Sequence, residues 1–237
     1  MSHMSRSPVT RPRQRTRPAT RPDRPAQPST RLRDAAKDET RRALIAAGLV
    51  EFAEHGLDLP SLDAICSRAG YTRGAFYVHF RDREDFLVAV MEYVIGTFLD
   101  AVIATGDEAH DLEHTIERFA EAAGAALAAR RDDAASPRES GMLPFALGFA
   151  FHRLLEGVWR SADLRARFVH LVREGTARVA AATRHGQKAG TIRRDVDAED
   201  VAFALAALAL GVITAIETGV PFDVARVRTA VQRLLRA

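Results

Sequence analysis

Apolar residues recur along this chain at helical spacing and almost nowhere in strand-like alternation. Leu44, Ile45, Gly48, Leu49 and Phe52 form one stripe, which predicts a first helix over about 38–55 that Gly56 stops. Ser61 is a good N-cap and predicts a short helix over 62–69. Gly70 closes it, with Tyr71 as the apolar residue expected just past such a cap. Thr72 caps another short helix ending near Phe80, and Asp82, with Asp85 in the capping-box position, opens a long one. That long helix carries Phe86, Leu87, Val90, Val94 and Phe98 and fades at Gly106. Leu112, Ile116, Phe119 and Ala123 predict a fifth helix over about 111–130. The polar run "RRDDAASPRESG" (130–141) predicts a loop, followed by helices at about 142–161, 162–189, 197–218 and 222–236. The expected class is all-α: an N-terminal three-helix head containing a helix-turn-helix, joined by the long helix to a helical body.

Composition changes this picture at one end. The net charge of +3 is unevenly spread: residues 1–33 hold nine Arg and one Asp, or +8, which leaves 25 − 30 = −5 on the rest. The same segment holds six of the ten prolines and few large apolar residues, so it predicts a disordered basic tail. Such a tail is either a solvated leader or an arm that tracks DNA. Its lack of an apolar core and cleavage site argues against a signal peptide. The single cysteine, Cys66, excludes an intrachain disulfide and reads as a small core residue. The longest uncharged apolar run, Val201–Ile216, is shorter than the roughly 20 residues a membrane span needs. These features predict a cytoplasmic protein with no membrane partner.

The short segment "AGYTRGAFYVHF" (69–80) carries the candidate chemistry. Turned at about 100° per residue, Phe76 and Phe80 share one face while Gly74 and Val78 lie opposite. Tyr77 and His79 flank the apolar face. Such a helix is anchored by its phenylalanines and offers a slim, acid-free edge that fits a major groove about 12 Å wide. Gly74 allows close approach, and the Arg73 fork matches guanine O6 and N7. Tyr77 and His79 are placed for phosphates, and Arg83 with the following helix start adds another phosphate contact.

From Thr40 to Glu92 the chain resembles the N-terminal domain of the TetR family of transcriptional regulators. The resemblance rests on "FAEHG", "AGYTRGAFYVHF" and "RDREDFL". It implies a homodimer on a palindromic DNA operator, in most members a repressor released by a small-molecule inducer. It places DNA contacts on Ser61 and Asp63, then on Thr72, Arg73, Gly74, Tyr77 and His79, with Arg83 beyond. Pro60 stands where members often have Thr, and an acid at Asp63 would repel phosphates. The implied domains are a tail at 1–33, a DNA-binding domain at 37–97 with its helix-turn-helix at 61–80, and a ligand-binding and dimerisation domain at 98–237.

In the body, "GTIRRDVDAEDVAFALAALALGVITA" (190–215) is similar to the family's segment before and within the last dimerisation helix. A helix uncharged over 16 residues is apolar on all sides and must be covered on all sides, by a second copy or within one chain. Tyr93, Phe119, Phe149, His152, Glu156 and Trp159 are the candidate pocket residues, though cores use the same residue types. The rival reading is a helical-bundle enzyme or a protein-binding scaffold. None of the chain's histidines stands in a Glu-x-x-His motif, and there is no G-x-S-x-G, phosphate-cradling loop or zinc spacing. The chain is expected to be no enzyme and to need no cofactor or metal.

Overall fold

Local capping chemistry sets the helix boundaries of the head. A computed structural model of the protein describes residues 30–103, 112–131 and 151–237. The first helix, α1 (Thr30–His55), begins eight residues earlier than the apolar stripe predicts, and it takes in the last residues of the predicted tail. The rest of the tail lies outside the described residues. Next come α2 (Leu62–Ala69) and α3 (Arg73–His79). The Ser61 hydroxyl accepts from the Ala64 amide at 3.1 Å, and Thr72 accepts from Ala75 at 3.3 Å. Each cap of this kind contributes about 1 kcal/mol. Gly70 takes φ 77°, and the Tyr71 amide donates to the Cys66 carbonyl at 2.9 Å, so the turn between the two helices needs a residue without a Cβ.

The long helix α4 (Arg83–Val102) starts on Asp82, which accepts from the Asp85 amide at 2.8 Å, and ends four residues before Gly106. In return the Asp85 carboxylate accepts from the Arg81 amide at 3.0 Å, one residue further back than a capping box requires. That amide, and next the Arg81 guanidinium, hold the Asp85 carboxyl below its ordinary pKa.

The head's core is aromatic. Phe52, Phe76, Phe80 and Phe86 are buried together, with ring centroids 4.9 Å apart for Phe80–Phe86 and 5.3 Å for Phe76–Phe86. Gly48 leaves room for Phe86 of α4 against α1: a Cβ there would lie 2.5 Å from the Phe86 ring. The core continues into the body through Phe151, Leu154 and Val158 of α6 (Phe151–Arg160), so head and body share one apolar interior.

The body adds α5 (Leu112–Arg131), α7 (Ala162–Ala189), α8 (Ala198–Thr218) and α9 (Val224–Leu235), close to the predicted spans. Among the described residues there is no strand, only an isolated antiparallel bridge between Ile192 and Arg236 that ties the end of the chain to the α7–α8 connection. The helix α8 departs from expectation in two ways. At 21 residues it is long and apolar enough to cross a bilayer, which its uncharged run alone is not. One face packs inward through Val201, Ala202, Val212, Ile213 and Ile216, while the opposite apolar face stays exposed, Phe203 to 72%. Among the described residues, then, this helix is only half covered.

Candidate nucleic-acid interface

The α3 helix is seven residues long and cannot hold itself together in water, so its packing fixes its orientation. Phe76 and Phe80 are buried at 0% and 2% exposure, whereas Tyr77 and Val78 are exposed at 51% and 64%. Arg73 and Gly74 are exposed with them. The edge formed by Arg73, Gly74 and Val78 therefore faces outward as the sequence predicts, and Tyr77, expected to flank the apolar face, is exposed with it. Ser61 and Thr72 are also exposed, and each hydroxyl that caps a helix keeps its proton to donate elsewhere.

Arg73 does not stand alone. The Asp63 carboxylate lies 3.5 Å from its guanidinium, and the guanidinium is pushed further toward the charged form, first by the Tyr77 hydroxyl and then by Asp63. Asp63 is thus the partner of the arginine, which accounts for an acid at this place in α2. His79 is half-buried against Phe80, at 6.2 Å between rings. Burial, and then the positive charges of Lys37 and Arg41, push its pKa down, so it is neutral near pH 7. Lys37 and Arg41 belong to this surface although the apolar stripe gave no sign of them. Arg41 lies 5.4 Å over the Phe80 ring. The signal that would have found them is their i, i+4 spacing on a helix that starts earlier than predicted.

Arg83 corrects the sequence reading. Its guanidinium donates to the Pro60 and Leu57 carbonyls and lies 5.7 Å over the Phe52 ring. It closes the α1–α2 connection instead of pointing outward with Arg73.

Behind the head, α4, α5, α7, α8 and α9 surround a cavity of about 180 Å³. Phe119 lines it. The other candidate pocket residues within the described part do not. Tyr93 is 45% exposed and Trp159 76%, and Glu156 is on the surface. His152 is also exposed, its ring 3.2 Å from Glu217. The cause is α6, whose apolar stripe of Phe151, Leu154 and Val158 turns inward against α7 and α8, where it joins the head's core, and sends the intervening residues outward. Phe149 lies outside the described residues.

A helix-turn-helix head with one outward-facing helix edge, mounted on a helical body that holds a cavity, is the architecture of a bacterial regulatory protein. The description "Bacterial regulatory proteins, tetR family" matches residues 44–90, and "Tetracyclin repressor-like, C-terminal domain" matches residues 154–231. The chain belongs to the TetR family.

It is similar to the transcriptional regulator SrpR of Pseudomonas putida, 42% identical over 57 residues, covering 24% of this chain and 27% of that protein. It is likewise similar to the repressor BepR of Brucella suis biovar 1, 40% identical over 53 residues, covering 22% of this chain and 25% of that one. The chain thus spans about a quarter of the length of these relatives. Among solved structures, the triclosan complex of SmeT, a Stenotrophomonas maltophilia repressor, covers 84% of this chain and 92% of its own at TM-score 0.61 and 22% identity, a likeness of fold.

Proposed function

We propose that the chain is a DNA-binding transcriptional regulator, a repressor that grips a palindromic operator as a homodimer and releases it when a small molecule fills the body cavity. The observation that carries this is the outward edge of Arg73, Gly74, Tyr77 and Val78 over a buried Phe76. Ser61 and Thr72 supply further phosphate donors, and Lys37, Arg41 and His79 border the edge. Two such helices about one DNA turn apart, ~34 Å, would read two half-sites. The domain division follows the same lines: a head over 37–97 that binds DNA and a body over 98–237 that binds ligand and a second copy. The protein works in the cytoplasm, where its DNA is, and it is a regulator rather than an enzyme.

The α4 helix supports the coupling. Its first half carries Phe86 into the aromatic core under α3, and its second half lines the cavity with Val94, Phe98 and Val102. A ligand that moves the second half tilts the same rod that seats the recognition helix. A coupling of about 1–3 kcal/mol is the ordinary size for such a link.

The test is a gel shift of the full chain against the DNA upstream of its own gene. Arg73→Ala is expected to cost about 1–3 kcal/mol on that DNA and to relax base preference at one position per half-site. An equal loss on random DNA would remove Arg73 from base reading.

The bare face of α8 supports the homodimer. Phe203, Ala207, Leu210, Gly211 and Thr214 line up on it, with small residues that let a second helix approach closely. Phe203→Glu is expected to sediment as a monomer at micromolar concentrations where the unaltered chain is a dimer. An unaltered chain that sediments as a monomer there contradicts the assembly.

A further inference from the structure

The cavity wall restricts the chemistry of what can fill it. It is aliphatic and aromatic nearly throughout, and among the described lining residues only Thr115, Thr176 and Arg228 carry polar side chains. The Thr176 hydroxyl donates to the Val172 carbonyl of its own helix at 3.0 Å. The Arg228 guanidinium donates to one oxygen of Glu117 at 2.9 Å, and the Gln232 amide donates to the other at 2.8 Å. The single charge among the described lining residues is therefore answered within the protein.

Each class of charged or strongly polar ligand meets a specific obstacle here. A cationic ligand would find no carboxylate, since none of the described lining residues is Asp or Glu. An anionic ligand would compete with Glu117 for one guanidinium and place two carboxylates around it. A polyhydroxylated ligand would give up several bonds to water for almost none in return. The Nε of Arg228 is buried without a hydrogen-bond partner, so the wall has one donor still unmatched. As for size, a dry apolar cavity of about 150 Å³ takes one benzene, and this one is about 180 Å³.

Resting on the effector reading above, we infer that the effector is an uncharged, predominantly apolar molecule of one to two rings, carrying at most one hydrogen-bond acceptor. Phe119 and Phe98, in edge contact at 6.3 Å between centroids, give a ring system an aromatic wall to lie on.

The experiment uses the full chain and four probes on one skeleton: naphthalene, 2-acetylnaphthalene, 2-naphthoate and (2-naphthylmethyl)trimethylammonium. Calorimetric titration is expected to show the two neutral compounds binding and the two charged ones binding at least about tenfold more weakly. Charged probes that bind as tightly as the neutral pair, or four probes that all fail to bind, overturn the inference. Ala123→Leu and Val172→Phe add bulk to the cavity from α5 and α7, so one variant remains informative if the other does not fold. Each is expected to abolish naphthalene binding with circular dichroism unchanged, and binding retained in a folded variant of either kind also overturns it. Gel shifts on the same samples separate the two readings. Neutral probes that bind without releasing DNA sink the effector role and leave the ligand class standing. A charged probe that binds in the cavity and releases DNA does the reverse.

Discussion

Phe76→Ala lowers the stability of the chain by about 3–5 kcal/mol in urea unfolding followed by circular dichroism, the usual cost of truncating a buried phenylalanine. The ring is fully buried and meets Phe80 at 5.2 Å, Phe86 at 5.3 Å and the edge of Tyr77 at 5.5 Å. Removing it opens a hole among rings donated by two helices, with Phe52 of α1 beyond at 6.0 Å from Phe86. Little in this cluster is free to collapse into the gap, because the rings brace one another. The loss falls on α3 in particular, a helix that packing alone keeps folded and aimed. Operator affinity therefore drops by more than the fraction unfolded accounts for. Phe76→Leu, closer in volume, costs less. Val78→Ala on the exposed edge leaves stability within about 0.5 kcal/mol. If Phe76→Ala loses under about 1 kcal/mol, the recognition edge is not held in the way described.

What could be read in the sequence was what local chemistry decides. Ser61, Gly70, Thr72 and Asp82 each act through atoms three to five residues away, and each sits where its residue type predicts. The outward edge of α3 followed from the spacing of two phenylalanines within one short helix. Features settled by distant partners were not legible. Arg83 is four residues past the recognition helix in sequence, yet its partners, Leu57 and Pro60, lie 26 and 23 residues back. His152 and Trp159 suit a pocket by type. The side of α6 that turns inward was fixed by α7 and α8, on which it packs, and Glu217, 65 residues away, takes the His152 ring. The start of α1 was missed for another reason: its first turns are polar and carry no stripe, so periodicity had nothing to register.

Arg83→Ala is expected to cost about 2–4 kcal/mol of folding stability, because it strips charge-assisted donors from two backbone carbonyls at a partly buried site. Both carbonyls belong to the connection between α1 and α2, and the same guanidinium covers the Phe52 ring, so one side chain pins the entrance to the helix-turn-helix. Arg83→Lys recovers less than half of the loss, since a single ammonium lacks the planar fork that reaches both oxygens. A phosphate-binding arginine on the surface predicts the opposite pattern. Its removal would leave the unfolding midpoint in place and lower the slope of log K against log salt by about one. Measuring both quantities on Arg83→Lys separates the roles, because lysine would still neutralise a phosphate but cannot rebuild the clamp. Unchanged stability with a shallower salt slope in Arg83→Ala, and neither quantity changed in Arg83→Lys, would return Arg83 to the DNA surface.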